Sequence, residues 1–129
     1  MQSFFFLRHT GKFVKIYFHE IIYAESCKNY VKIITTTQTW LVLLPMKQLE
    51  EHLPADLFCR VHRSYIVSID HVMAFDNTTV YLKDVEVPVG EQYKTRLQNS
   101  VTILSGESRS KMTVPEVGIE LVLEKEQEN

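Results

Sequence analysis

Phe58-Cys59-Arg60-Val61-His62-Arg63-Ser64-Tyr65-Ile66-Val67-Ser68 sets three basic side chains, Arg60, His62 and Arg63, directly before a β-branched and aromatic run. That run favours a pleated, half-buried strand, so the segment is read as one strand with a basic cluster at its mouth. If Val61 and Tyr65 point inward, strict alternation puts Arg63 on the same side. An unpaired guanidinium is too costly to bury there, so Arg63 is expected in a loop or at the strand mouth. Rigid strands ending in cationic, hydrogen-bonding loops can present donors to nucleic acid. Arg forks onto guanine O6 and N7 or onto a phosphate, and His62 can add a bond to a phosphate or a base edge. The plainer alternative is a set of surface cations in ordinary ion pairs.

Outward from this segment, short apolar runs alternate with turn residues. Phe4 to Leu7 and Phe13 to Phe18 read as a hairpin closed by Thr10-Gly11, where Gly tolerates a positive φ. A strand ending at the polar break Ser26-Cys27-Lys28-Asn29 follows, then strands at Tyr30 to Thr36 and Thr39 to Leu44 around a turn at Thr37-Gln38. Pro45 to Leu53 reads as a helix, with Pro in its first turn and Met46, Leu49 and Leu53 on one face. Further strands are expected at His71 to Phe75, Thr79 to Leu82 and Val85 to Val89, with turns at Asp76-Asn77 and Lys83-Asp84. Gly90 to Ser100 reads as a closing helix. About eight short strands and two small helices, without strand–helix–strand alternation, imply a mainly β, antiparallel multi-sheet domain over residues 1–104. Trp40 and the Phe run are expected to fill its core.

The chain of 129 residues is 45% hydrophobic and 23% charged, the balance of a globular domain rather than a disordered one. No apolar run approaches the roughly 20 residues of a membrane span. The opening Met-Gln-Ser-Phe-Phe-Phe-Leu-Arg makes a poor signal peptide. Two cysteines outside any Cys-x-x-Cys pair suit a reducing cytoplasm better than a disulfide framework. The net charge of −2 is unevenly spread: residues 1–104 hold 11 Lys/Arg against 10 Asp/Glu, a balance of +1, and residues 105–129 hold 3 against 6, a balance of −3. A nucleic-acid footprint must therefore come from clustering. Residues 105–129 open with a linker composition and read as a solvated acidic tail. Val117 to Leu123 alternates enough to offer a further strand.

Lys28, Asn29 and Tyr30 form a second candidate cluster. Asn reads adenine bidentately and Lys meets phosphate, although Asn also suits a turn for its backbone preferences. Lys47, near the start of the first helix, and Lys94 and Arg96, on the last, are further cations on helix faces, where solvated charges are common. Other chemistries lack support. Cys59-x-x-His62, even with His71, does not complete a zinc spacing, and Cys59 on an apolar strand reads as a buried thiol. Glu50 and Glu51 face about 100° apart on a helix and are no glycosidase pair. No phosphate loop or nucleophile elbow is present, so neither an enzyme nor a cofactor is expected.

Phe58–Ser68 resembles the most recognisable motif of the LytTR (LytR/AlgR) family of bacterial DNA-binding domains, Phe-x-Arg-x-His-Arg/Asn-Ser-Tyr/Phe-Ile/Val-Val-Asn. The likeness extends over roughly residues 3–102, through Ile21-Ile22-Tyr23-Ala24-Glu25-Ser26, Leu49-Glu50-x-x-Leu53 and Val87-Pro88-Val89. It implies an elongated three-sheet β fold that sends loops into successive major grooves. It also implies a transcriptional regulator, often the output half of a two-component response regulator, with a sensor histidine kinase upstream and a homodimer on repeated half-sites. In that frame Lys28, Lys47, Arg60 and Lys94 contact phosphate, while Asn29, Tyr30, His62 and Arg63 read bases. Glu25-Ser26-Cys27-Lys28-Asn29-Tyr30 is similar to the family's Glu-Ala-x-x-Asn-Tyr stretch, whose loop enters a major groove. Gly90-Glu91-Gln92-Tyr93-Lys94 stands where the family carries Ser-Arg-x-Tyr-Lys, so Glu91 replaces a base-reading Arg. A carboxylate there repels phosphate but can accept from cytosine N4. The competing expectation is a protein-interaction module on the same β fold with weak or lost DNA affinity.

Overall fold

The computed structural model describes residues 3–106. Among the described residues are ten strands, which form three antiparallel sheets, and two short α-helices. Strands β1 (Phe4–His9) and β2 (Lys12–Tyr17) make a hairpin in which His9 pairs with Lys12. Both turn residues have positive φ, Thr10 at 46° and Gly11 at 77°, the backbone that matches strand twist in a two-residue turn.

The central sheet holds β3 (Ile21–Cys27), β4 (Tyr30–Thr35), β5 (Thr39–Leu43), β6 (Phe58–His62) and β7 (Tyr65–Ser68) in the order β5-β4-β3-β7-β6. Apolar side chains cover both of its faces. On one, Ala24, Val31, Ile33 and Ile66 pack with Ile16 and Phe18, and with Met46 and Leu49 of helix α1 (Met46–His52). On the other, Cys59, Val61 and Val67 pack against Val80, Val87 and Leu97. These last come from the sheet of β8 (Ala74–Phe75), β9 (Thr79–Tyr81) and β10 (Glu86–Pro88), and from helix α2 (Arg96–Ser100). Two-sided burial explains why Ile66-Val67-Ser68 is buried without alternation.

Several sequence expectations change. Phe58–Ser68 is two antiparallel strands, β6 and β7, joined at Arg63-Ser64 with His62 opposite Tyr65. The reversal keeps the Arg63 guanidinium in solvent, the outcome that its desolvation cost demands. The His71–Phe75 strand shrinks to Ala74–Phe75, because Ile69–His71 forms a 3-10 turn closed by the Val72 N–H on the Ile69 carbonyl. The Gly90–Ser100 helix divides into a 3-10 turn at Glu91–Tyr93 and α2. Of the Phe run, Phe5 packs on the core, whereas Phe6 is exposed on the hairpin's outer face. There the Lys15 ammonium lies 4.4 Å from the Phe4 ring centroid. Val117–Leu123 and the rest of the acidic tail beyond residue 106 lie outside the described residues.

Candidate nucleic-acid interface

Three candidate segments converge at one end of the central sheet. Glu25 pairs with Tyr65, so the end of β3 lies beside the start of β7, and the Ser26 N–H donates to the Ser64 carbonyl at 2.8 Å. This sets the Lys28-Asn29 turn next to the Arg63-Ser64 turn. On the other side of β6 the Gly90 N–H donates to the Val61 carbonyl at 2.8 Å, docking Gly90–Lys94 against the same end. His62, Arg63, Gly90, Glu91, Gln92 and Tyr93 line an open cleft of about 300 Å³ there. A side chain at position 90 would crowd it, since an added Cβ comes 3.1 Å from the Tyr93 ring and 3.5 Å from His62.

Lys28, Asn29 and Tyr30 are exposed. The positive φ of this turn, 58°, falls on Lys28 and not on Asn29. Arg63 is exposed, and among the described residues neither it nor Lys28 or Lys47 makes an ion pair. Lys47 sits exposed near the start of α1, soon after the end of β5 that pairs Leu43 with Tyr30. The His62 Nδ1 accepts the Ser64 N–H at 3.0 Å, which leaves Nε2 as the proton-bearing nitrogen of the neutral ring. Its ring meets Tyr65 edge-on at 5.5 Å. Lys94 is paired with Glu91 at 3.2 Å.

Arg60 differs from the other cations. Its side chain is 14% exposed, and Nη1 binds Glu50 Oε1 at 2.8 Å. Nε donates to the His62 carbonyl at 3.2 Å, and Nη2 donates to the Arg63 carbonyl. The second oxygen of Glu50 accepts from Arg96 at 3.5 Å, and the Arg96 guanidinium lies 4.5 Å from the Tyr93 ring centroid. Glu50 and Tyr93 therefore belong to the site's framework, a role that the sequence did not assign to either. The available signal was Glu50 inside Leu49-Glu50-x-x-Leu53.

Beneath the turns, the Tyr65 hydroxyl donates to Glu25 Oε2 at 3.1 Å. Burial, and next that bond, push the Tyr65 hydroxyl above its ordinary pKa. Burial likewise pushes the Cys59 thiol up, so it stays protonated and inert at neutral pH. Among the described residues no cluster of His, Cys, Asp or Glu has the arrangement to hold a metal. No helix of the described residues is long and apolar enough to cross a membrane.

Comparisons with known proteins agree with this architecture. A solved structure of the LytTr DNA-binding domain of a Bacillus cereus protein, described as a methyl-accepting/DNA response regulator, superimposes with a TM-score of 0.67. The match is 24% identical and covers 78% of this chain and 97% of that one, a likeness of fold. The CO-responsive transcriptional regulator RcoM of Rhodospirillum rubrum is 34% identical over an alignment of 90 residues, and the match covers 64% of this chain. The matched region spans only 38% of that regulator's length. The family model of the LytTr DNA-binding domain matches residues 11–102. The chain belongs to the LytTr DNA-binding domain family, which binds DNA and is not catalytic.

Proposed function

We propose that this chain is the DNA-reading part of a transcriptional regulator, and that the convergent turns at one end of the central sheet are its contact surface. The observation that carries this reading is that the turn bearing exposed Lys28, Asn29 and Tyr30 lies beside the turn of exposed Arg63, which lines an open cleft with half-buried His62. Lys28, Lys47 and Lys94 supply phosphate contacts, while Asn29, Tyr30, His62 and Arg63 face base edges. Glu91 shares Lys94 and tempers its attraction for phosphate. A homodimer on repeated half-sites, control by a sensor histidine kinase and a cytoplasmic location belong to the same reading. So does a domain spanning residues 1–104 followed by an acidic tail that competes with DNA for the cationic turns.

Fluorescence anisotropy on random-sequence and promoter duplexes at two salt concentrations tests it. A salt-sensitive rise in anisotropy is expected, because cations that neutralise phosphates release counterions. Arg63→Ala should weaken binding to a selected duplex by about 1–3 kcal/mol without changing the melting temperature. No binding even at low salt would favour an interaction module on the same fold. Glu91 held against Lys94 and the near-neutral charge of residues 1–104 are the features that favour that second reading.

A further inference from the structure

Arg60 lies behind the turn that lines the cleft, its side chain mostly buried, and its guanidinium is already engaged on three sides. Nη1 meets Glu50, Nε the His62 carbonyl and Nη2 the Arg63 carbonyl. A planar guanidinium has a fixed fork of donors, and here that fork joins two successive carbonyls of one turn to a carboxylate on α1. The carboxylate also reaches Arg96, whose guanidinium packs on Tyr93 in the facing wall of the cleft. One acidic side chain thus ties both walls to a helix anchored in the core by Met46 and Leu49.

We propose that Glu50 and Arg60 are positioning residues: the pair fixes the Arg63-Ser64 turn in the shape that presents it to DNA, and Arg60 itself makes no phosphate contact. The inference rests on the reading that this turn meets DNA. Two-residue turns are usually set by Gly, Asn or Asp, and Arg63-Ser64 contains none of these. The turn's shape is held instead by the Arg60 fork on the His62 and Arg63 carbonyls, by the Ser64 N–H on His62 Nδ1 and by the Ser26 N–H on the Ser64 carbonyl.

The test uses the full chain and the variants Glu50→Gln and Arg60→Gln. Amide hydrogen exchange at Ser64, measured without DNA, reports the turn, and titration against a duplex selected from a random-sequence pool reports binding. Positioning predicts exchange at Ser64 faster by about tenfold in Glu50→Gln, the factor that follows from losing one charge-assisted bond. It predicts weaker duplex binding by that variant, although deleting a negative charge near DNA would by electrostatics alone tighten binding. Arg60→Gln should lower affinity while the slope of log K against log salt stays unchanged. A slope reduced by about 0.9 would mean that Arg60 neutralises a phosphate, which overturns the proposal. Unchanged Ser64 exchange in Glu50→Gln overturns it as well. If the parent protein binds no duplex but Ser64 exchange accelerates, the positioning role stands and the DNA reading of the turn fails.

Discussion

The Ser64 amide donates to Nδ1 of His62 at 3.0 Å, so one imidazole both closes a turn and turns its other nitrogen outward. Two amide side chains separate these duties. The Asn carbonyl lies about where Nδ1 is and can keep the Ser64 bond, whereas the longer Gln amide reaches toward the Nε2 position.

His62→Asn is therefore expected to melt like the parent protein while binding a selected duplex more weakly by about 1–3 kcal/mol, the range for one good base contact. His62→Gln should lose about 1 kcal/mol of stability with the turn bond and retain more of the affinity. Thermal melts and anisotropy titrations of both variants decide the matter. Parent-like affinity in His62→Asn would leave His62 as a turn acceptor alone.

Lys28 holds a left-handed backbone, φ 58°, that costs an ordinary L-residue roughly 1 kcal/mol and glycine almost nothing. Lys28→Gly relieves that strain, but it also frees the unfolded chain, so net stability should change by less than about 1 kcal/mol. A phosphate contact would show separately, as a fall of about 0.9 in the salt slope of duplex binding. An unaltered slope would make Lys28 a turn residue without a role in DNA binding.

Asp76 governs the acid response of the β8–β9 turn. Its Oδ1 accepts the Thr78 and Thr79 amides, both at 2.9 Å, and the Thr78 hydroxyl at 3.0 Å. The Thr78 amide first, then the Thr79 amide and the Thr78 hydroxyl, hold its carboxyl below the ordinary Asp range. A depressed native pKa stabilises the fold above the unfolded Asp value of about 3.9, and that stabilisation is lost as pH falls through the native value. Asp76→Asn keeps an acceptor but cannot titrate. Melting curves at a series of pH values below about 5 should show a shallower acid loss in the variant. Parallel acid limbs for the two proteins would refute the assignment.

The hairpin at Thr10-Gly11 and the helix after Pro45 were readable because turn and cap chemistry is local. The exposure of Arg63 was readable too, since burying a lone guanidinium is prohibitive whatever the topology. The reversal at Arg63-Ser64 was not. Its flanks are continuous strand formers, and what holds the turn is an arginine and a carboxylate ten residues apart in sequence. Arg96 reaches the same carboxylate from 46 residues away. Such ties arise only when α1, β6 and α2 come together, so no local pattern announces them. The Phe run misled for a related reason: alternation was visible, but not that the outer face of a two-stranded hairpin carries Phe6 exposed with Lys15 beside it.

Glu91 gives the sharpest test of how the third segment meets DNA. Its side chain is 84% exposed and pairs with Lys94 at 3.2 Å, so it occupies the cation beside it and adds a negative charge to the cleft. Glu91→Arg removes that charge, releases Lys94 and adds a forked donor. Tighter duplex binding is expected, with the salt slope steeper by about 0.9 for each phosphate newly neutralised. A gain confined to certain duplexes would mark base readout, and a uniform gain would mark phosphate contact. Glu91 also opens the 3-10 turn at Glu91–Tyr93, where an acidic group favours the N-terminal amides. If that were its only role, the swap would cost a few tenths of a kcal/mol of stability and leave affinity flat. Titration of both proteins against one duplex at several salt concentrations separates these outcomes, and flat affinity would remove Gly90–Lys94 from the contact surface.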